Sequence, residues 1–320
     1  MEQSIVSERL PLWQEAQKVQ TDLQVCEFEK LVWPYRLMVP FLFIVGAYVQ
    51  LKKAVFRLVW GRACVPYTNF WLVDGASLNS RKVKDGAARW QALDAVYNFR
   101  TGEGGTVVTR IIDGYWLHIR NAQAARNRLK IVKRELQAAI RRIAVLKVDY
   151  GPVRVLSLAA GSGQGVIEAV ADLQRVGGIR CEVLLIDKDE SALIHARNLA
   201  RLHEVNVIAR KGDVVFFNRE LQGFEPDIIE MCGLMDYLRD TTAIALIRKI
   251  RRYLRPDGFF LTCHIHPNAE SYFLRHVVDW DMLYRTRPQL ADVLVEGGFL
   301  GVRLHTEPHQ IHSVAVAQKI

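Results

Sequence analysis

The 320 residues contain no Cys-x-x-Cys, and the five cysteines, Cys26, Cys64, Cys181, Cys232 and Cys263, are scattered and odd in number. That argues against a disulfide framework or paired zinc ligands and points to a reduced, cytoplasmic compartment. There is no Gly-x-Ser-x-Gly either, so the serine elbow of α/β-hydrolases is not encoded. His264, His266, His305, His309 and His312 lack the intervals of a metal site, Pro308 breaks helical ligand spacing, and no metal is expected. No basic segment precedes an apolar core near the start, so no signal peptide is expected. The apolar run at 37–51 is fifteen residues long and is interrupted by Pro40 and Gly46. A bilayer span needs about 20. A buried or interface-seeking helix is the expectation, with peripheral contact on the inner membrane face through residues 37–60 as its functional form.

What is present is a hydrophobic half of the chain, enough to bury a full core, and a net charge of +9. Much of the excess lies on one stretch: Arg126, Arg128, Lys130, Lys133, Arg134, Arg141 and Arg142. Leu129, Val132, Leu136, Ile140 and Ile143 keep helical spacing there, so the basic residues form the outer face of an amphipathic helix. A solvated face, an anionic membrane surface and an acidic substrate all fit such a face. No aromatic interleaving accompanies it, and no nucleic-acid partner is expected.

The most informative segment is 153–165, VRVLSLAAGSGQG. A β-branched apolar run ends at Leu158 and breaks into a turn with Gly161, Gly163 and Gly165, after which a helical pattern opens near Gln164. Strand, glycine turn and helix bring backbone close to a nucleotide-like ligand. A second buried strand, CEVLLID, ends in Asp187, where a carboxylate would accept both hydroxyls of a ribose. A third, VNVIAR, leads to Gly212-Asp213, a place for a carboxylate to take the amine of an adenine. PDIIEMCGLMDYL (226–238) reads as strand four, and FFLTCH as strand five after the turn Arg255-Pro256-Asp257-Gly258. Thr286 and Gln289 have the form of a capping box on a helix that stops at Gly297-Gly298. FLGVRLHT and HSVAVAQ close the chain as an antiparallel pair.

This order resembles the class I S-adenosylmethionine-dependent methyltransferases over roughly residues 150–320. The resemblance implies an α/β, Rossmann-like seven-stranded sheet, mostly parallel with an antiparallel last strand, and S-adenosyl-L-methionine as cofactor. It implies cofactor contacts from Ser157, Ala159, Gly161, Gly163, Asp187, Lys188, Asp213, Val214 and Cys232. Two positions depart from the family: Ser157 stands where an acidic residue is usual, and Ala159 where glycine is usual. Serine can still hydrogen-bond the methionyl amine, and alanine is the smallest departure from glycine.

The segments at 110–136, 232–238 and 279–290 are similar to a family of bacterial methyltransferases found alone or joined behind an α/β-hydrolase domain. That similarity implies a small or lipid-like acceptor, a methylated oxygen of a carboxylate or hydroxyl, and a separate hydrolase as a partner. Cys232-Gly233-Leu234-Met235 replaces the Asn/Asp-Pro-Pro-aromatic loop of base and amide N-methyltransferases. Tyr115, Arg126 and Arg128 become candidates to touch the ligand.

TGEGG at 101–105 is the strongest punctuation in the chain. It suggests a helical N-terminal extension over 1–105 and a methyltransferase domain over 106–320, with lead-in helices at 106–150 and the core at 151–320. For catalysis, His264 is expected near the acceptor, with Tyr284 in the following segment; a hydroxyl acceptor needs such a base and an ionised carboxylate does not. Two alternatives stand beside this. A nicotinamide-dependent oxidoreductase would use Gly-x-Gly-x-x-Gly, whereas the spacing here is Gly161-x-Gly163-x-Gly165. A non-catalytic, membrane-peripheral nucleotide-binding protein is the other.

Overall fold

A computed structural model describes residues 27–30, 38–61, 68–75, 77–99, 106–147 and 151–320. The expected boundary at 101–105, with Cys26, Cys64 and Leu37, lies outside the described residues. Seven strands form one sheet: β1 (Val153–Leu158), β2 (Cys181–Asp187), β3 (Val207–Lys211), β4 (Ile228–Met231), β5 (Phe259–Ile265), β6 (Gly301–Thr306) and β7 (His312–Gln318). Their order is β3-β2-β1-β4-β5-β7-β6. β7 runs antiparallel to both of its neighbours, and the other pairings are parallel. This is the sheet expected from the sequence, with its order reversing between β1 and β4, where open α/β sheets place their ligands.

Among the described residues twelve α-helices accompany it: α1 (Met38–Trp60), α2 (Trp71–Asp74), α3 (Leu78–Asp85), α4 (Trp90–Tyr97), α5 (Val107–His118), α6 (Arg120–Leu146), α7 (Gln164–Gly177), α8 (Glu190–Leu202), α9 (Asn218–Leu221), α10 (Asp240–Tyr253), α11 (Ser271–His276) and α12 (Arg287–Glu296). Alternation along β1 sends Val153 and Val155 into a core shared with α6, α7 and α8. Leu156 and Leu158 enter the opposite core, against α10 and α12. Each such side chain contributes roughly 1.5–3 kcal/mol by leaving water. The capping box on α12 is present, with Gln289 N–H on Thr286 and the Gln289 side chain accepting from Thr286 N–H at 2.8 Å.

β4 is shorter than its sequence suggests. Only Ile228–Met231 pairs in the sheet, because Gly233 takes φ +99° and turns the chain away at the strand end. The basic face of α6 is not simply solvated. Arg126 pairs with Glu29, and Lys133 with Glu168 and Asp172 of α7. α6 and α7 approach closely at Gly165, where a Cβ would lie 3.3 Å from Val132 Cγ1.

A third apolar cluster forms a roof over the sheet edge from Val83, Ile112, Trp116, Ile119, Ala122, Phe273 and Leu274, with Leu42, Val45 and Val49 of α1 packed on it. α1 is 23 residues long. By length and composition, one helix among the described residues could cross a membrane, and it is α1. Its outer side exposes Phe43, Ile44, Leu51 and Leu58. Its lysines face inward: Lys52 donates to the carbonyls of Thr68 and Asn69, and Lys53 pairs with Asp279 at 2.6 Å.

Candidate active site

The turn after β1 places three left-handed residues within five: Ala159 (φ +51°), Gly161 (φ +54°) and Gly163 (φ +63°). A Cβ on Gly163 would also meet Ile167 and Leu185 at 3.2 Å, so conformation and space both demand glycine there. Ala159 adopts the same handedness with a side chain, at a cost of about 1 kcal/mol. Gly163 caps α7 without any side-chain bond. Gly163, Gln164, Gly165 and Val166 all line a cavity, so the positive end of α7 forms part of its wall.

Asp187, at the end of β2, holds this turn. Its Oδ2 accepts Gly161 N–H at 2.8 Å and its Oδ1 accepts Asp189 N–H at 2.8 Å. Each oxygen keeps a second lone pair for a ligand hydroxyl. Asp213, exposed beyond β3, accepts Val215 N–H through Oδ1 at 2.8 Å. Asp187, Lys188, Asp213, Val214 and Cys232 line the same cavity as the turn, as do Ala159, Gly161 and Gly163.

The cavity, of about 520 Å³, continues from this strand edge beneath the roof. Val83, Leu93, Val96, Trp116, Ile119, Ala122, Leu274 and Met282 make the far part apolar. Buried ionisable groups interrupt it, among them Arg128, His312, Glu230 and Asp236. Arg128 of α6 is 3% exposed; its guanidinium donates to Tyr97 Oη at 2.6 Å, and no carboxylate of the described residues lies within ion-pair distance. His312, at the start of β7, is 5% exposed, and its Nδ1 has no hydrogen-bond partner. Burial first, and then the nearby Arg128 cation, push its pKa well below the usual histidine range, so the ring is neutral. Glu230 of β4 is 6% exposed and lies beside the turn.

The sequence model of a family described as "Putative methyltransferase" matches residues 69–319. The chain belongs to that family. It is a class I methyltransferase in both sequence and sheet order. A solved protein from Bordetella parapertussis, titled a possible exported protein, is 17% identical over 87% of this chain and 95% of its own, with a TM-score of 0.63. The CMeT domain of the citrinin polyketide synthase is 16% identical over 96% of each chain, with a TM-score of 0.53. The DszA carbon methyltransferase is 15% identical over 78% of this chain and 67% of its own, with a TM-score of 0.52. At these identities the three bear on the fold. No curated protein matches the chain.

The methyltransferase differs from its sequence-based expectations in several places. Ser157 is 1% exposed and does not line the cavity; its hydroxyl donates to Glu230 Oε2 at 2.5 Å, so Glu230 stands between it and any ligand. His264 is fully buried, with Nδ1 2.9 Å from Asp236 Oδ1 and Nε2 3.4 Å from an Arg285 nitrogen. Neither His264 nor Tyr284 reaches the cavity wall. His266 has both ring nitrogens engaged, with the Arg285 carbonyl and Ser313 Oγ, each at 2.7 Å. Arg126 is paired with Glu29, and Tyr115 packs edge-on against Trp116 and Phe273, which leaves Arg128 as the one of those three on the cavity. The histidine that faces the cavity is His312.

The methyltransferase also extends further toward the N-terminus than the glycine punctuation suggests. α3 and α4 wall the cavity through Val83, Trp90, Leu93, Val96 and Tyr97, and the family match begins at residue 69. Trp90 Nε1–H donates to Ser191 Oγ at 3.0 Å and its ring lies 4.6 Å from that of His195, tying α4 to α8.

Proposed function

We propose that this methyltransferase uses S-adenosyl-L-methionine and methylates an oxygen, carboxylate or hydroxyl, of a small or lipid-like acceptor. One observation carries this: a single cavity joins a nucleotide-type edge to an apolar chamber containing a buried arginine without a carboxylate partner. The residues fit the cofactor. Gly161 and Gly163 leave room for close approach, Asp187 has lone pairs for the ribose diol, and Asp213 lies where the base would end.

When bound, the cofactor supplies an electrophilic methyl group. The chain supplies position, which accounts for much of the acceleration in a displacement of this kind. Arg128 would hold an acidic acceptor through its planar fork of donors. His312, neutral and with Nδ1 uncommitted, would accept a hydrogen bond from a hydroxyl acceptor and orient it; an ionised carboxylate would need no such contact. The roof excludes water from the transfer. The exposed apolar side of α1 lies over the same roof and suits contact with a membrane face from which a lipid-like acceptor could be drawn.

Calorimetry tests the cofactor assignment. S-adenosylmethionine and S-adenosylhomocysteine should bind one site per chain, and NAD should not bind. Tight NAD binding would favour an oxidoreductase, and no binding of any nucleotide would leave a non-catalytic protein.

A further inference from the structure

Glu230 is a carboxyl group buried in the cavity wall with no cation in direct contact. Among the described residues no Lys, Arg or His lies within ion-pair distance of it, and it accepts hydrogen bonds from Ser157 Oγ–H on Oε2, from Cys232 N–H on Oε1 at 2.8 Å, and from the Cys232 thiol. A buried carboxylate with no cation in contact is costly unless something cationic joins it or it takes up a proton. Burial pushes its pKa upward, against the hydrogen bonds and the more distant Arg128 charge that pull it down. Three donors still leave the carboxylate with acceptor capacity for a ligand.

Its place in the sheet is specific. Ser157 of β1 and Glu230 of β4 are register partners across the parallel pair. The position where the family resemblance implies an acidic residue in β1 therefore has its carboxylate one strand over, and the Ser157 hydroxyl braces it. Glu230, Cys232 and the glycine turn line the same end of the cavity. No group of three metal-ligating side chains occurs among the described residues.

We propose that Glu230 binds the ammonium group of the cofactor's methionyl part, replacing from β4 the acid absent from β1. This rests on the S-adenosylmethionine assignment above. The test compares two ligands by calorimetry: S-adenosylhomocysteine, which carries the ammonium, and 5′-methylthioadenosine, which has the same adenosyl thioether without it. Glu230→Gln should weaken the first by about ten- to hundredfold and the second by less than about twofold. Because partial misfolding lowers the number of sites and not the ratio of affinities, this preference isolates the contact. The double variant Ser157→Glu, Glu230→Ser returns the carboxylate to β1 and should restore the preference. Equal loss of both ligands, or loss of neither, in Glu230→Gln would overturn the proposal. If the unaltered protein binds neither ligand, the cofactor assignment itself fails.

Discussion

Asp187→Ala is expected to weaken S-adenosylhomocysteine binding by about 1–3 kcal/mol, roughly ten- to hundredfold, and to lower the melting temperature too. The first effect follows from removing a charged acceptor for two ribose hydroxyls. The second follows from the bonds that the carboxylate makes inside the protein, since Gly161 N–H and Asp189 N–H both lose their acceptor. Asp187→Asn separates them: the amide keeps one oxygen for the backbone while losing the charge that favours the diol. Titration calorimetry with a parallel thermal melt reads both. An affinity within about twofold of the unaltered protein in Asp187→Ala would show that β2 does not end in the ribose site.

The second large effect concerns Arg128, and its sign is unusual. A buried guanidinium with no carboxylate in contact is expensive to keep, and replacing buried charges by apolar groups of similar volume is often neutral or stabilising. Arg128→Met should therefore leave the melting temperature unchanged or raised. The same variant, loaded with S-adenosylhomocysteine, should bind dodecanoate about ten- to hundredfold more weakly, because the charge-assisted bonds to a carboxylate are gone. A residue retained against stability while required for ligand is the signature of an acceptor anchor. If Arg128→Met melts well below the unaltered protein while dodecanoate binding is undiminished, Arg128 serves the fold through Tyr97 and the acceptor lies elsewhere.

The parts of the protein legible in the sequence are those written in consecutive residues. The β1 turn declares itself through glycines whose φ angles are positive. β2 ends visibly in Asp187, the α12 cap is spelled by Thr286 and Gln289, and the β6–β7 pair follows from its apolar alternation. The residues misjudged or missed depend on what one segment meets in another. Glu230 looked like the middle of a buried strand, and only the β1–β4 register puts it beside Ser157. His264 and His266 have no access to the cavity, because two segments, one carrying Asp236 and the other Arg285, pack over them. His312 sits at the mouth of β7 for the same non-local reason: β7 is inserted antiparallel beside β5, which brings its first residue opposite Ile265. α3 and α4 read as part of a separate extension, yet their apolar side finds its partner only in the roof of the cavity. Arg128 was marked by resemblance to the family. That no carboxylate is in direct contact with it, while its neighbours Arg126 and Lys133 are paired, becomes visible only once α6 is docked.

A crystal structure of the protein with S-adenosylhomocysteine tests the central claim most directly. The adenosyl group should lie across the ends of β1, β2 and β3, with Asp187 on the ribose hydroxyls, Asp213 toward the base, and the thioether sulfur pointing at the chamber between Arg128 and His312. Density for the ligand elsewhere on the molecule, or Asp187 turned away from the sugar, would contradict the account.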